Sequence, residues 1–133
     1  MLQIHSFSYN PFAENTYVLF DETKECVIID PGCYDEAEES ELENFIQNNN
    51  LKPVALLQTH CHIDHVFGIN FVFRKYNLKP HIHKNELVVL NAAIEYSQMF
   101  GLIMKELPEP IISLADGDSF KFGNSTLKLI LTP

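Results

Sequence analysis

The sequence predicts an α/β (α+β) domain built on a mixed sheet. Short β-branched and aromatic runs joined by polar turns fill the first thirty residues, which is the pattern of antiparallel strands. A strand–helix–strand order follows between Cys26 and Gln58, which implies a right-handed crossover and a parallel pair. Immediately after that parallel strand, "THCHIDH" crowds three of the chain's six histidines and an aspartate into residues 60–65. The carboxyl end of a parallel strand is where α/β folds place their sites.

The elements follow in order. Residues 1–7 have strand composition, with Leu2 and Ile4 alternating on one face, and "NTYVLF" at 15–20 and "CVIID" at 26–30 continue the meander across the polar connection "DETKE". "DPGCYD" breaks the third strand. Asp35 and Glu38 then form a capping-box pattern, and Asp35, Glu36, Glu38 and Glu39 put negative charge at a helix N-terminus. Leu42, Phe45 and Ile46 give that helix its apolar stripe to about Gln47, where "NNN" ends it. Residues 53–58, "PVALLQ", read as a buried strand that ends near Thr59. A tight loop carries the histidine cluster, and a second, mostly buried helix starts at Val66. Arg74 and Lys75 suit its last turn and Asn77 its left-handed cap. "KPHIHK" is a short strand, "NELVVLNAAIEYSQMFGLIMK" a helix broken near Gly101, and "LADGDSF" a turn. "FKFGNSTLKLIL" is a hairpin with Leu127, Leu129 and Leu131 alternating on its second arm.

A length of 133 residues suits one domain, and 46% hydrophobic content supplies a core. The formal net charge of −9, with no Lys/Arg cluster, disfavours nucleic acid as a partner. Cys26, Cys33 and Cys61 are odd in number, so free thiols in a reducing compartment are expected. The start lacks a basic n-region and a long apolar h-region, and no run approaches the ~18 apolar residues a membrane span needs. These features predict a cytoplasmic protein without a membrane partner.

The cluster carries the chemistry. In an extended segment His60 and His62, spaced i and i+2, leave the same face, and Asp64 continues it; His65 joins them only if the chain turns. Imidazole with carboxylate suits zinc, iron or manganese better than calcium or magnesium. A single histidine beside an apolar strand is ordinarily a hydrogen-bonded structural residue. Three with an aspartate at a strand-to-helix junction make a metal-site pattern. His81 and His83 alternate in a strand with no nearby aspartate and read as ordinary strand positions, and His5 reads as structural. Cys61 points away from its histidine neighbours and is expected as a buried thiol, although thiolate could bind zinc. Tyr96 and Phe100 fit a helix packing stripe better than a substrate pocket. No substrate-binding residue is assigned.

"HCHIDH" resembles the H-x-H-x-D-H signature of the metallo-β-lactamase superfamily, and "NTYVLFDETKECVIIDPG" looks like its N-terminal strands, with Asp30, Pro31 and Gly32 at the D-P-G turn. His65 after Asp64 is more similar to the glyoxalase II (hydroxyacylglutathione hydrolase-like) branch than to the antibiotic-resistance branch. The resemblance implies the first half of an αββα sandwich, a mixed sheet with helices on one face. It implies that His60 and His62 hold one divalent metal, and Asp64 and His65 a second. Zinc is the first choice, with iron or manganese as alternatives. A hydroxide between the ions would attack a thioester or small ester, with Asp64 as the catalytic residue handling its proton. The family's T-P-G-H-T histidine, bridging aspartate and last histidine are missing, because the chain ends at Leu131-Thr132-Pro133. The expectation is therefore a single domain over residues 1–133, truncated before the G-H-T segment and doubtful in activity alone, with partial or absent metal occupancy. An uncovered sheet face is expected to join two copies in a homodimer near Leu127, Leu129 and Leu131. Two other readings stand beside the hydrolase: a persulfide dioxygenase-like enzyme using a single iron, and a non-catalytic, self-associating half-domain.

Overall fold

In the computed structural model the described residues are 2–59, 61, 63–99, 108–112, 114–115 and 117–128. β1 (Gln3–Tyr9), β2 (Glu14–Phe20) and β3 (Glu25–Ile29) form the expected antiparallel meander, with Ile4 opposite Leu19 and Tyr17 opposite Ile29. β4 (Lys52–Leu57), β5 (Pro80–Ile82) and β6 (Ile111–Ile112) add in parallel, so the sheet runs in the order β1-β2-β3-β4-β5-β6. α1 (Glu36–Asn48), α2 (Ile63–Val66), α3 (Ile69–Tyr76) and α4 (Leu87–Met99) fill the connections, with a 3-10 turn at Lys84–Glu86. A separate hairpin pairs β7 (Ser119–Phe122) with β8 (Ser125–Lys128).

The strand period of two divides the core. Val18, Cys26, Ile28, Leu56 and Ile82 pack with Leu42, Ile46, Val66, Ile69, Val72 and Leu90 of the helices. The intervening residues Leu19, Val27, Ala55 and Leu57 bury the opposite face against Phe122, with Phe120 and Leu127 of the hairpin alongside. The helices thus cover one face, as the mixed α/β reading requires. The other face is not bare: the hairpin lies over it and Leu127 is half-buried. This corrects the expectation of an open sheet face around that strand. Leu129 and Leu131 lie outside the described residues.

Three local expectations change. The first strand runs on to Tyr9, and it is Phe7 and Tyr9 that it buries, while Ile4 is 65% exposed. Ile4 shares the face of Leu19 at the sheet's edge, beyond the cover that the hairpin supplies. The capping box is half realised. Asp35 Oδ1 accepts from the Glu38 N–H at 2.9 Å, but the Glu38 carboxylate accepts from Asn10 and Tyr34 N–H groups at 2.8 Å. Glu38 therefore ties the β1–β2 turn to the start of α1. The helix expected from Val66 begins at Ile63 and is broken at Phe67 and Gly68. The Gly68 N–H leaves the helical ladder to donate to Pro31 O at 2.7 Å. A Cβ there would meet Pro31 O at 2.7 Å and Cys33 Sγ at 2.5 Å, so the close docking of this junction requires glycine. Among the described residues no helix is long and apolar enough to cross a membrane.

Candidate metal centre

The site is built where β3 ends. Asp30 adopts a left-handed backbone, φ 52°, while its N–H donates to Leu57 O at 3.0 Å. A carboxylate residue tolerates this conformation better than most. The turn throws the Asp30 side chain towards the segment that leaves β4. There Oδ1 accepts from the Thr59 N–H at 2.7 Å, and Oδ2 accepts from the Thr59 hydroxyl. Oδ2 also faces His65 Nδ1 at 3.1 Å. Glu14, the first residue of β2, brings a second carboxylate: its Oε1 lies 3.4 Å from the same Nδ1, and its Oε2 accepts from the Thr16 hydroxyl at 3.0 Å. The side chains of Glu14 and Asp30 are 1% and 3% exposed, and that of His65 is 24% exposed.

Two buried carboxylates side by side are costly unless a cation balances them. Glu14, Asp30 and His65 offer ligand atoms all within 4.8 Å of one another, so the donor set fits a divalent metal in its neighbourhood. Its geometry also says how His65 would serve. With Nδ1 against carboxylates, the neutral ring carries its proton on Nδ1, and Nε2 has the lone pair that a metal takes. A ligating imidazole held this way by a carboxylate is the usual outer arrangement of zinc and iron sites. Glu14 and Asp30 would then stand behind the imidazole.

His65 sits in α2, not in a loop before a helix. The chain therefore turns at this point, within α2. Gln58 fixes this turn from below: its side-chain amide donates to His65 O at 2.8 Å. His60 and His62 lie outside the described residues, as does the side chain of Asp64. Between the two histidines Cys61 is fully buried, and its N–H donates to Glu86 Oε1 at 2.8 Å. Burial pushes the Cys61 thiol up to about 12, with Glu86 and Asp30 adding to the effect.

The other candidates fall out as follows. His81 is in β5 with its ring edge-on to Phe120, and burial holds it below its usual range. His83 is not a strand residue: it caps the 3-10 turn, its Nδ1 accepting from the Asn85 N–H at 3.0 Å. His5 stacks on Phe45 with ring centroids 4.2 Å apart. The Tyr96 side chain and Phe100 lie outside the described residues. Glu14 and Glu86 were not singled out from sequence. An acid opening an otherwise apolar strand, as in "ENTYVLF", was the one available signal for Glu14.

Comparison with known proteins shows what the chain is similar to. The family description "Metallo-beta-lactamase superfamily" matches residues 9–133. A probable metallo-hydrolase, YqgX of Bacillus subtilis, is 30% identical over 125 residues, covering 92% of this chain and 56% of that protein. The chain thus spans just over half the length of that relative. Hydroxyacylglutathione hydrolase of Buchnera aphidicola is 35% identical over 65 residues, which are 49% of this chain and 24% of that protein. The crystal structure of TTHA1623 in a di-iron-bound form superposes with a TM-score of 0.73 at 30% identity, covering 86% of this chain and 55% of that one.

Proposed function

The chain belongs to the metallo-β-lactamase superfamily, and from that premise we propose that it forms part of a metal-dependent hydrolase, glyoxalase II-like, that cleaves a thioester or small ester in the cytoplasm. The observation that carries the reading is the Asp30–His65 contact at 3.1 Å at the carboxyl end of the sheet, which presets an imidazole for metal ligation. The hydroxyacylglutathione hydrolase match supports the thioester class, and it covers the half of the chain that a match of 65 residues can reach. The three described cysteines are free and buried, in keeping with a reducing compartment.

In this reading His60 and His62 would hold one divalent ion, and Asp64 and His65 a second. Divalent ions bound there would supply Lewis acidity, activating water and offsetting negative charge that develops on the substrate. The chain's own residues supply the rest. Asp30 holds the His65 ring in one tautomer, Gln58 holds the His65 carbonyl, and Glu86 holds the peptide between His60 and His62. Asp64 takes the proton that water gives up. The di-iron form of TTHA1623 supports a two-metal site, with zinc, iron or manganese as the ion.

The test uses the full-length protein, with metal content measured alongside hydrolysis of acyl thioesters of glutathione and of other thiols. Two metals per chain are expected, with activity lost on chelation and restored by the ion. Asp64→Asn is expected to lower kcat by about 100-fold or more. One iron per chain, with oxygen consumed on adding a persulfide and no thioester cleaved, would replace the hydrolase by an oxygenase.

A further inference from the structure

We propose that Glu14 is a second positioning residue for His65, so that two buried carboxylates from different strands confine this ligand ring. The inference rests on the reading of His65 as a metal ligand.

Glu14 has no ordinary reason to be buried. It opens β2, where an acid could face solvent, yet it is 4% exposed. Burying a carboxylate is costly unless hydrogen-bonding or charged partners surround it. The partners here converge on the site. Thr16 Oγ1 donates to Glu14 Oε2 at 3.0 Å and accepts from the Gly32 N–H at 2.9 Å. The D-P-G turn that aims Asp30 therefore also fixes Glu14, through one hydroxyl. The other Glu14 oxygen, Oε1, reaches His65 Nδ1 at 3.4 Å, beside the Asp30 oxygen at 3.1 Å.

Asp30 makes the shorter contact and Glu14 flanks it. An imidazole with one acceptor on Nδ1 can still swing about its terminal torsion, which is broad and weakly restrained. A second carboxylate oxygen 3.4 Å from the same nitrogen narrows that swing through its charge and keeps Nε2 on one line. Glu14 is placed to do this from the β1–β2 hairpin, an element that carries no residue of the H-x-H-x-D-H motif. The alternative, Glu14 as a ligand itself, is an outcome of the test.

The experiment titrates full-length wild-type, Glu14→Ala, Glu14→Gln and His65→Ala proteins with zinc against a chromophoric chelator. It also records the ¹⁵N shifts of the His65 ring in the metal-loaded protein. Glu14→Ala is expected to weaken one of the two zinc sites by about 10- to 100-fold, to leave the other unchanged, and to shift the His65 nitrogen signals. Glu14→Gln, which keeps an acceptor oxygen of the same reach, is expected to recover part of the loss. If Glu14→Ala does not fold, as judged by circular dichroism, Glu14→Gln carries the test: wild-type affinity at both sites then overturns the proposal. Unchanged affinities in Glu14→Ala overturn it, and so does equal weakening of both sites. Loss of one metal in both Glu14 variants, as complete as in His65→Ala, makes Glu14 a ligand and also overturns it. A wild type that takes up no zinc overturns this inference and the metal-dependent reading together. A protein that keeps two zincs and the Glu14 dependence but cleaves no thioester upholds this inference and removes only the substrate class.

Discussion

Asp30 shows how one side chain can serve both stability and the site. Its carboxylate is 3% exposed, accepts from the Thr59 N–H and hydroxyl, and faces His65, all from a left-handed backbone. Asp30→Ala removes the acceptor and leaves the Thr59 N–H without it. A loss of about 2–3 kcal/mol is expected in urea unfolding, together with weaker zinc binding. Asp30→Asn keeps one acceptor oxygen and tolerates the backbone, so its loss should be smaller; equal losses in the two variants would contradict this account. Cys26 makes a second residue-scale case. Burial alone pushes its thiol up to about 12, whereas an unfolded cysteine titrates near ~8.5. The native state therefore keeps a proton that the unfolded state has already released. Its contribution to stability is whole below ~8.5 and declines as pH rises towards 12. Cys26 should resist alkylating reagents at pH 8 until the protein is unfolded, and Cys26→Ala should flatten the alkaline fall in melting temperature.

At the scale of elements the two critical joints are both glycine contacts. At the α2–α3 junction, Gly68 lets the helix pair dock on the Pro31 carbonyl. Gly68→Ala should cost about 1–3 kcal/mol through overpacking and should weaken metal binding, because the junction directly follows His65; thermal melts and zinc titration check both. The second joint ties the hairpin to the main sheet. Asp21 Oδ1 accepts from the Thr23 N–H at 2.9 Å, while Oδ2 accepts from the Asn124 N–H at 2.8 Å and the Ser125 hydroxyl at 2.7 Å. The hydroxyls of Thr23 and Ser125, in that order, hold Asp21 well below the usual carboxylate range. Gly123, at φ 54°, sits where a Cβ would collide with the same Asp21 carboxylate. A carboxylate depressed in the folded state contributes its full stabilisation above its unfolded pKa of ~3.9 and loses it progressively as pH falls from there through the depressed folded value. Acid should thus release the hairpin before the helical face opens. Hydrogen exchange over residues 119–128 should accelerate first in wild type, and should already be fast at neutral pH in Asp21→Ala.

At the scale of the molecule the question is what covers the apolar surface that remains. The hairpin buries Leu19, Val27, Ala55 and Leu57, but β6 stands at the sheet's edge with Ile111 and Ile112 at 42% and 53% exposure. On α4, Val88 and Met99, eleven residues apart and so on one helical face, are 76% and 78% exposed. An edge strand with exposed isoleucines, as β6 is among the described residues, is a template for pairing. We propose that the 133-residue chain associates with a second copy, with β6 as the contact edge among the described residues. Sedimentation at tens of micromolar should show a dimer that Ile112→Lys converts to a monomer. A wild-type monomer would dismiss the proposal.

Local chemistry was enough for much of this. The alternating runs set the meander, Asp35 capped α1, Asn77 closed α3 at φ 57°, and the H-x-H-x-D-H spacing marked the segment after β4. Each depends on neighbours a few residues away, so each could be read along the chain. Contacts between distant segments could not. The exposure of Ile4 depends on where the hairpin stops, and His83 reads as a strand residue yet caps the next turn. The break at Gly68 came from a carbonyl 37 residues earlier, the difference between positions 68 and 31. Glu14 and Asp30 reach His65 across 51 and 35 residues, 65 minus 14 and 65 minus 30. The motif marked His65, and the packing of β2 and β3 beside it decided which carboxylates stand against its ring, because burial and partnership are properties of neighbours in space.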